Sequence, residues 1–208
     1  MDFIDSYLTE LEPVVRNISR EEVRVVVGLL FEVWRSRRTI FIIGNGGSAA
    51  TASHMINDLS KLTVVGNLPR VRSIALTDNV PLMTAVGNDL AYGDIFVEPL
   101  KNLLEPADIL IAISTSGNSP NVIKAVEYAR SRGAKVVGFC AAPGGRLAEI
   151  ADAKVIIPSR RIGHQEDGHM ILDHVISGAL RERIQQSSLT MTGAETGGSE
   201  MAPSETGG

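Results

Sequence analysis

The chain has a single cysteine, Cys140, in 208 residues. That excludes an intrachain disulfide and fits a reducing compartment. It also lacks a large charge of one sign: the net charge is −4, so no nucleic-acid or membrane-binding surface is expected. No apolar run approaches the roughly eighteen residues of a membrane span. The first fifteen residues, MDFIDSYLTELEPVV, are acidic and carry no basic stretch of the kind that opens a signal peptide. A cytoplasmic location is the expectation. No repeat architecture is present, and the last stretch, SSLTMTGAETGGSEMAPSETGG, has almost no large apolar residues. Such a segment buries too little surface to offset its ordering entropy, which predicts a disordered tail over 187–208.

What remains is 44% hydrophobic, enough for one sizeable core over 1–186. Ser19-x-x-Glu22 forms a capping box before EVRVVVGLLFEVWRS, predicting a helix over 20–36. An amphipathic helix is predicted over 2–16, with Pro13 standing against its later half. Five short apolar runs follow, at 39–43, 73–76, 109–113, 135–140 and 155–157, each separated from the next by helix-like sequence. Runs apolar on both faces and spaced by helices predict a parallel sheet covered on both sides. The expected fold is α/β: a doubly wound, five-stranded parallel sheet with an N-terminal helical hairpin. Ligands of such folds bind outside the carboxyl ends of the strands.

Two loops fall there. Gly44-Asn45-Gly46-Gly47-Ser48 follows the first strand and opens a helix. Its glycines permit a sharp turn and close ligand approach, and free N–H groups at a helix start favour an anion. Ser114-Thr115-Ser116-Gly117-Asn118-Ser119 follows the third strand, with Ser119 as N-cap and Pro120 in the first helical turn. Several hydroxyls beside a helix N-terminus make a phosphate cradle that needs no lysine. Ordinary turn and cap chemistry would use the same residues. Gly44-x-Gly46-x-x-Ala49 with Asp78 after the second strand also matches the loose dinucleotide pattern. That reading leaves the hydroxyl-rich second loop unexplained, and 208 residues scarcely accommodate a further substrate domain.

GNGGSAATASH, TAVGND and AISTSGNSPNVIKAVEYAR together resemble the sugar isomerase (SIS) domain, a flavodoxin-like fold. More narrowly, the chain resembles the phosphoheptose isomerases, which convert sedoheptulose 7-phosphate to an aldoheptose 7-phosphate, over about residues 2 to 185. The resemblance implies that Asn45, Gly46 and Gly47 line the sugar and that Ser48 assists the anion site. It implies that Ser114, Thr115, Ser116 and Ser119 hold the phosphate, and that Asn88 and Asp89 reach sugar hydroxyls. Many members bind zinc between two helices. His54 matches the first ligand, Asp58 stands where the family has Glu, Glu166 where it has Gln, and His174 at the final ligand.

His54 and Asp58 are an i,i+4 pair on one helix face, and Glu166 and His174 are two turns apart on another. Two histidines with carboxylates suit zinc or a similar divalent cation, one per subunit. By the same resemblance the helix carboxylate, Asp58, acts as the base of an enediolate mechanism and His174 as its acid/base partner. Glu166 is the other candidate base and a substrate-binding residue. His169 is expected to be a satisfied core or surface residue. Thr51 and the run RRIGHQED depart from the family pattern, so a related sugar phosphate is also an expected substrate. The resemblance further implies a homotetramer. The competing expectation is a non-catalytic SIS module that binds a sugar phosphate or a protein partner.

Overall fold

The computed structural model describes residues 2–196, with side chains through 189. Met1 and 197–208, which include the end of the expected tail, lie outside the described residues. Two helices come first, α1 (Phe3–Arg16) and α2 (Arg20–Arg35). The Ser19 hydroxyl accepts the Glu22 N–H at 3.2 Å, which caps α2 as the capping box requires. α1 does not break at Pro13 but continues to Arg16. A proline within a helix costs about 3 kcal/mol, and here packing offsets it. Val14 is buried and Leu11 packs against the core, so tertiary contact holds the last turn in place.

Five strands follow: β1 (Thr39–Gly44), β2 (Arg72–Ala75), β3 (Ile109–Ile113), β4 (Lys135–Ala141) and β5 (Ala153–Ile157). All pair in parallel, in the order β2-β1-β3-β4-β5. Alternate residues feed two cores, as a sheet covered on both faces demands. Ile40 and Ile42 of β1 join the cluster with Val26, Leu30 and Met55, while Phe41 and Ile43 join the one with Phe96, Leu100 and Val126.

The connecting helices are α3 (Gly47–Asn57), α4 (Val80–Asp89), α5 (Val97–Leu103), α6 (Pro120–Ser131), α7 (Gly145–Ile150) and α8 (Ile162–Thr196). α3 runs directly into a π-turn, Asp58–Leu62. α8 carries through 187–196, residues expected in the tail. Once a helix is nucleated, adding residues costs little. No proline interrupts it and the first glycine after Gly178 is Gly193. The Ser187 and Ser188 hydroxyls turn back onto the carbonyls of Ile184 and Gln185 at 2.7 Å.

β1 leads to β2 on one side, and β3 pairs with β1 on the other. The chain therefore reverses its direction of travel across the sheet between β1 and β3. Ligands of open parallel sheets bind at this switch point. Gly44 and Ile113, the last residues of these strands, are register partners there.

Candidate active site

The loop after β1 turns because two of its glycines have no alternative. An added Cβ at Gly44 would lie 2.7 Å from the Ser48 carbonyl, and Gly46 sits at φ +54°. The loop after β3 is folded as tightly. Gly117, at φ +64°, passes so close to Gly144 that a Cβ would fall 1.9 Å from its carbonyl oxygen. The Leu147 N–H donates to Gly117 O at 2.8 Å, and the Ala141 N–H to Thr115 O at 3.1 Å.

This leaves the side chains of the second loop turned to their own task. Ser119 occupies the N-cap of α6 but makes no side-chain cap bond. Its Oγ faces Ser114 Oγ at 3.3 Å instead. Ser116 Oγ accepts the Asn118 N–H at 3.1 Å, which leaves its own proton to donate. Ser114, Thr115, Ser116 and Ser119 thus gather around one helix start, an arrangement suited to a phosphate.

Asn45 ties the two loops together. Its Nδ2 donates to Asn121 Oδ1 at 2.9 Å, and Asn121 Nδ2 donates back to Asn45 Oδ1 at 2.8 Å. The Tyr92 hydroxyl donates to the same Asn45 Oδ1 at 3.0 Å. Neither Asn121 nor Tyr92 was expected from the sequence, although Asn121 stands inside the quoted loop-and-helix motif. Asn88 and Asp89 are exposed at the end of α4, where the Asn88 amide donates to Asp89 Oδ1 at 2.8 Å. Among the described residues, no hydrogen bond joins either of them to the two loops.

α3 and α8 lie side by side and run in the same direction. Contacts ascend together along both: Gly47 with Glu166, His54 with Asp173, and the carbonyl of Val64 with Arg181. A seam of Ala52, Met55 and Leu59 against Leu172, Ile176 and Leu180 holds them together. Where they meet, His54, Asp58, Asp173 and His174 each offer a ligand atom, all within 4.8 Å of one another. The His54 and His174 rings stand edge-on, with centroids 5.1 Å apart.

Three of the four expected metal ligands therefore converge, and Glu166 does not. Eight residues of helix rise about 12 Å, so Glu166 shares a flank with His174 but not its height. Its carboxylate instead lies against Gly47, where a Cβ would come 2.3 Å from Oε1. Gly47 needs no side chain because Glu166 occupies that space. A carboxylate at the first turn of α3 is also favoured by the helix dipole.

Asp173 takes the place that Glu166 was expected to fill. It is fully buried and binds His54 Nδ1 through Oδ2 at 2.7 Å, while the Ser177 hydroxyl donates to Oδ1 at 3.2 Å. The signal in the sequence was a polar ridge at fourfold spacing inside an apolar helix: His169, Asp173 and Ser177, all fully buried.

The hydrogen bond to Asp173 holds the His54 pKa above its ordinary value. Burial, the larger influence on Asp173, pushes its pKa up against the pull of His54 and Ser177. A fully exposed ion pair would lower the carboxylate, so the two directions conflict. The raised His54 follows directly from the 2.7 Å contact and is the direction that decides the chemistry. With Nδ1 given to Asp173, His54 keeps Nε2 for a cation, the arrangement by which a carboxylate orients a metal-binding histidine.

His169 is not part of this group. Its Nε2 donates to Cys140 O at 3.2 Å, its Nδ1 has no partner among the described residues, and burial depresses its pKa to about 4. Burial also pushes the Cys140 thiol up to about 12, which removes it as a nucleophile. Asp78, the acid of the dinucleotide alternative, is bonded to Ser53 on α3.

The divergent run RRIGHQED holds α1. Tyr7 donates to Asp167 at 2.5 Å, Arg161 reaches Glu10 at 3.0 Å and covers the Phe3 and Tyr7 rings, and His164 meets Tyr7 O at 3.1 Å. Within it, Glu166 lies against Gly47 of the loop after β1. Thr51 is buried, with its hydroxyl on Gly47 O at 3.3 Å.

Residues 2–141 match the SIS domain family. The phosphoheptose isomerase of Geotalea daltonii is 32% identical over 188 residues, covering 87% of this chain and 95% of the relative. That of Rhodospirillum rubrum is 36% identical over 157 residues, covering 76% and 83%. The solved phosphoheptose isomerase of Neisseria gonorrhoeae superposes with a TM-score of 0.80 at 27% identity, over 86% of this chain and 97% of that one. With the SIS domain matched over more than half its length and relatives above 30% identity along most of it, the chain belongs to the phosphoheptose isomerase family of SIS-domain proteins.

Proposed function

We propose that this isomerase converts sedoheptulose 7-phosphate, or a closely related ketose phosphate, to the aldose 7-phosphate through an enediolate. The observation that carries this reading is that one chain holds both an acid/base group and a phosphate cradle. His54, Asp58, Asp173 and His174 supply the first, and the Ser114–Ser119 loop supplies the second. A binding module would have no use for the acid/base group.

In the proposed reaction Ser114, Thr115, Ser116 and Ser119 hold the phosphate with help from Ser48, and Asn45, Gly46 and Gly47 border the sugar. Asn88 and Asp89 would reach its hydroxyls from the end of α4. Asp58 removes a proton from C1 while the C2 oxygen gains one, giving the enediol. Loss of the O1 proton and return of a proton to C2 then yield the aldehyde at C1 and the hydroxyl at C2. His174, whose ring lies 5.1 Å from that of His54, would move the oxygen-bound proton. Glu166, held at Gly47, is assigned to a sugar hydroxyl and not to the cation.

The donor set fits a divalent cation such as zinc, because two histidines and two carboxylates balance its charge and match its preferences. His54, Asp58 and His174 would hold it, with Asp173 orienting His54. A cation bound there would stabilise negative charge developing on the two substrate oxygens.

A homotetramer in the cytoplasm completes the proposal. A groove of about 630 Å3 between α2 and α8, lined by Ile18, Val23, Val27, Ile171 and Val175, is the face assigned to a second copy. No helix among the described residues is long and apolar enough to cross a membrane. The direct test is aldose formation from sedoheptulose 7-phosphate, followed by NMR with and without added zinc. Tight binding without any turnover under both conditions would overturn the enzymatic reading in favour of a sugar-phosphate sensor.

A further inference from the structure

The Asn45 amide has its hydrogen-bonding groups almost fully committed. The Val122 N–H, fixed by the backbone of α6, donates to Asn121 Oδ1 at 3.0 Å. That bond sets which end of the Asn121 amide is the oxygen. Asn121 is only 2% exposed, so it has no freedom to turn. Its oxygen therefore faces Asn45 Nδ2, and its nitrogen faces Asn45 Oδ1. Tyr92 then donates its hydroxyl proton to that same Asn45 oxygen. Asn45 Oδ1 thus receives two donors and its two lone pairs are spent. Nδ2 gives one N–H to Asn121 and retains one. A single N–H is what the Asn45 side chain has left to offer.

The geometry points to Asn121 and Tyr92 as positioning residues that lock the Asn45 amide as a donor, so that this position selects an acceptor oxygen of an open-chain sugar phosphate. The inference rests on the substrate class proposed above and deepens it. An unlocked asparagine can present either end and accept either a hydroxyl proton or a carbonyl oxygen. The locked one discriminates, because a donor facing a donor leaves both unpaired, and a buried unpaired group is costly. The lock also has a mechanical consequence. Asn121 is the second residue of α6, immediately behind the phosphate loop, while Asn45 is in the loop after β1. One pair of amides thus joins the loop after β1 to the start of α6.

The test is calorimetric titration with sedoheptulose 7-phosphate and, separately, with inorganic phosphate. The proteins are the wild type, Asn45→Ala, Asn121→Ala, the double variant, and Tyr92→Phe, whose ring is exposed and whose loss of one hydroxyl does not threaten folding. Asn121→Ala is expected to weaken the sugar phosphate about tenfold and Tyr92→Phe about threefold, the range of one neutral hydrogen bond. Inorganic phosphate should bind all five proteins within twofold. In the Asn45→Ala background, removal of Asn121 should add nothing. Equal losses for both ligands, or full additivity in the double variant, would overturn the inference and leave Asn121 a prop for the phosphate helix. The side-chain amide protons of Asn45 give a readout that needs no substrate. The one donated to Asn121 should be protected from exchange in the wild type and lose protection in Asn121→Ala. Unchanged protection would overturn the lock itself, whereas a wild type that binds phosphate but not the sugar phosphate would overturn only the substrate assignment.

Discussion

Replacing Asp173 with asparagine separates the orienting role of this carboxylate from any role in folding. The amide keeps the shape of the side chain and can still meet Ser177, but it carries no charge. For stability two effects oppose. The bond to His54 at 2.7 Å is lost as a charge-assisted contact, worth about 1.5–3 kcal/mol when fully formed. Against that, a fully buried carboxylate no longer has to be desolvated, and burial is the larger influence on Asp173. The His54 ring is 41% exposed, so solvent screens its half of the bond. The net change in the melting temperature of the metal-free protein should therefore be small.

Metal affinity has no such compensation. Loss of a carboxylate that orients a ligating histidine costs about 10–100-fold, or about 1.4–2.8 kcal/mol. The pH dependence carries a second signature. Because His54 has a raised pKa, the stability its pair contributes is full below the unfolded value near 6.5 and fades as pH rises through the folded one. Zinc must displace that proton, so wild-type affinity climbs with pH over the same window. In Asp173→Asn the His54 pKa falls, so the proton competes less at low pH. The zinc deficit should be largest near pH 8 and smaller near pH 6. Zinc titration by calorimetry at both pH values, with melting curves of the metal-free proteins, provides the check. Equal zinc affinity at pH 8 would refute the orienting role, and a collapse of the melting temperature would make Asp173 a structural residue.

Ser119→Ala should weaken sugar-phosphate binding by up to about 1.5–3 kcal/mol with no loss of helix stability, since Ser119 does not cap α6; calorimetry with a melting curve decides. Gly117→Ala should be severely destabilising, by more than about 2 kcal/mol, because its Cβ would meet Gly144 O at 1.9 Å. A normal melting temperature in that variant would contradict the loop geometry. Asp58→Asn should abolish turnover, while Glu166→Gln should chiefly raise KM; the reverse ranking in steady-state kinetics would make Glu166 the base. His169 has a folded pKa of about 4 against about 6.5 when unfolded, so its neutral form stabilises the protein above about 6.5. That contribution, about 3 kcal/mol in all, is lost as pH falls toward 4. His169→Phe should flatten the stability profile between pH 6.5 and 4, and an unchanged slope in chemical denaturation would show that His169 does not carry it.

Much of this fold is local in origin and was legible from the chain alone. The run at 109–113 is a strand because five apolar residues in succession suit a position buried on both faces, and β3 occupies those residues. The Ser19 capping box and the Ser119-Pro120 pair mark where α2 and α6 begin, since each satisfies or tolerates a helix start within four residues. His54 and Asp58 were readable as neighbours because one turn of helix joins them. Tertiary packing decided the rest. Pro13 is tolerated because α1 is held from outside by the core and by α8, a contact more than 150 residues away in sequence. Glu166 lies outside the cation group and Asp173 inside it because membership depends on height along two helices packed side by side. Periodicity around a helix reports the face of a residue and says nothing of the level at which the neighbouring helix presents its partner. Only the contact between α3 and α8 supplies that level, placing Asp173 beside His54 and leaving Glu166 about two turns away, against Gly47.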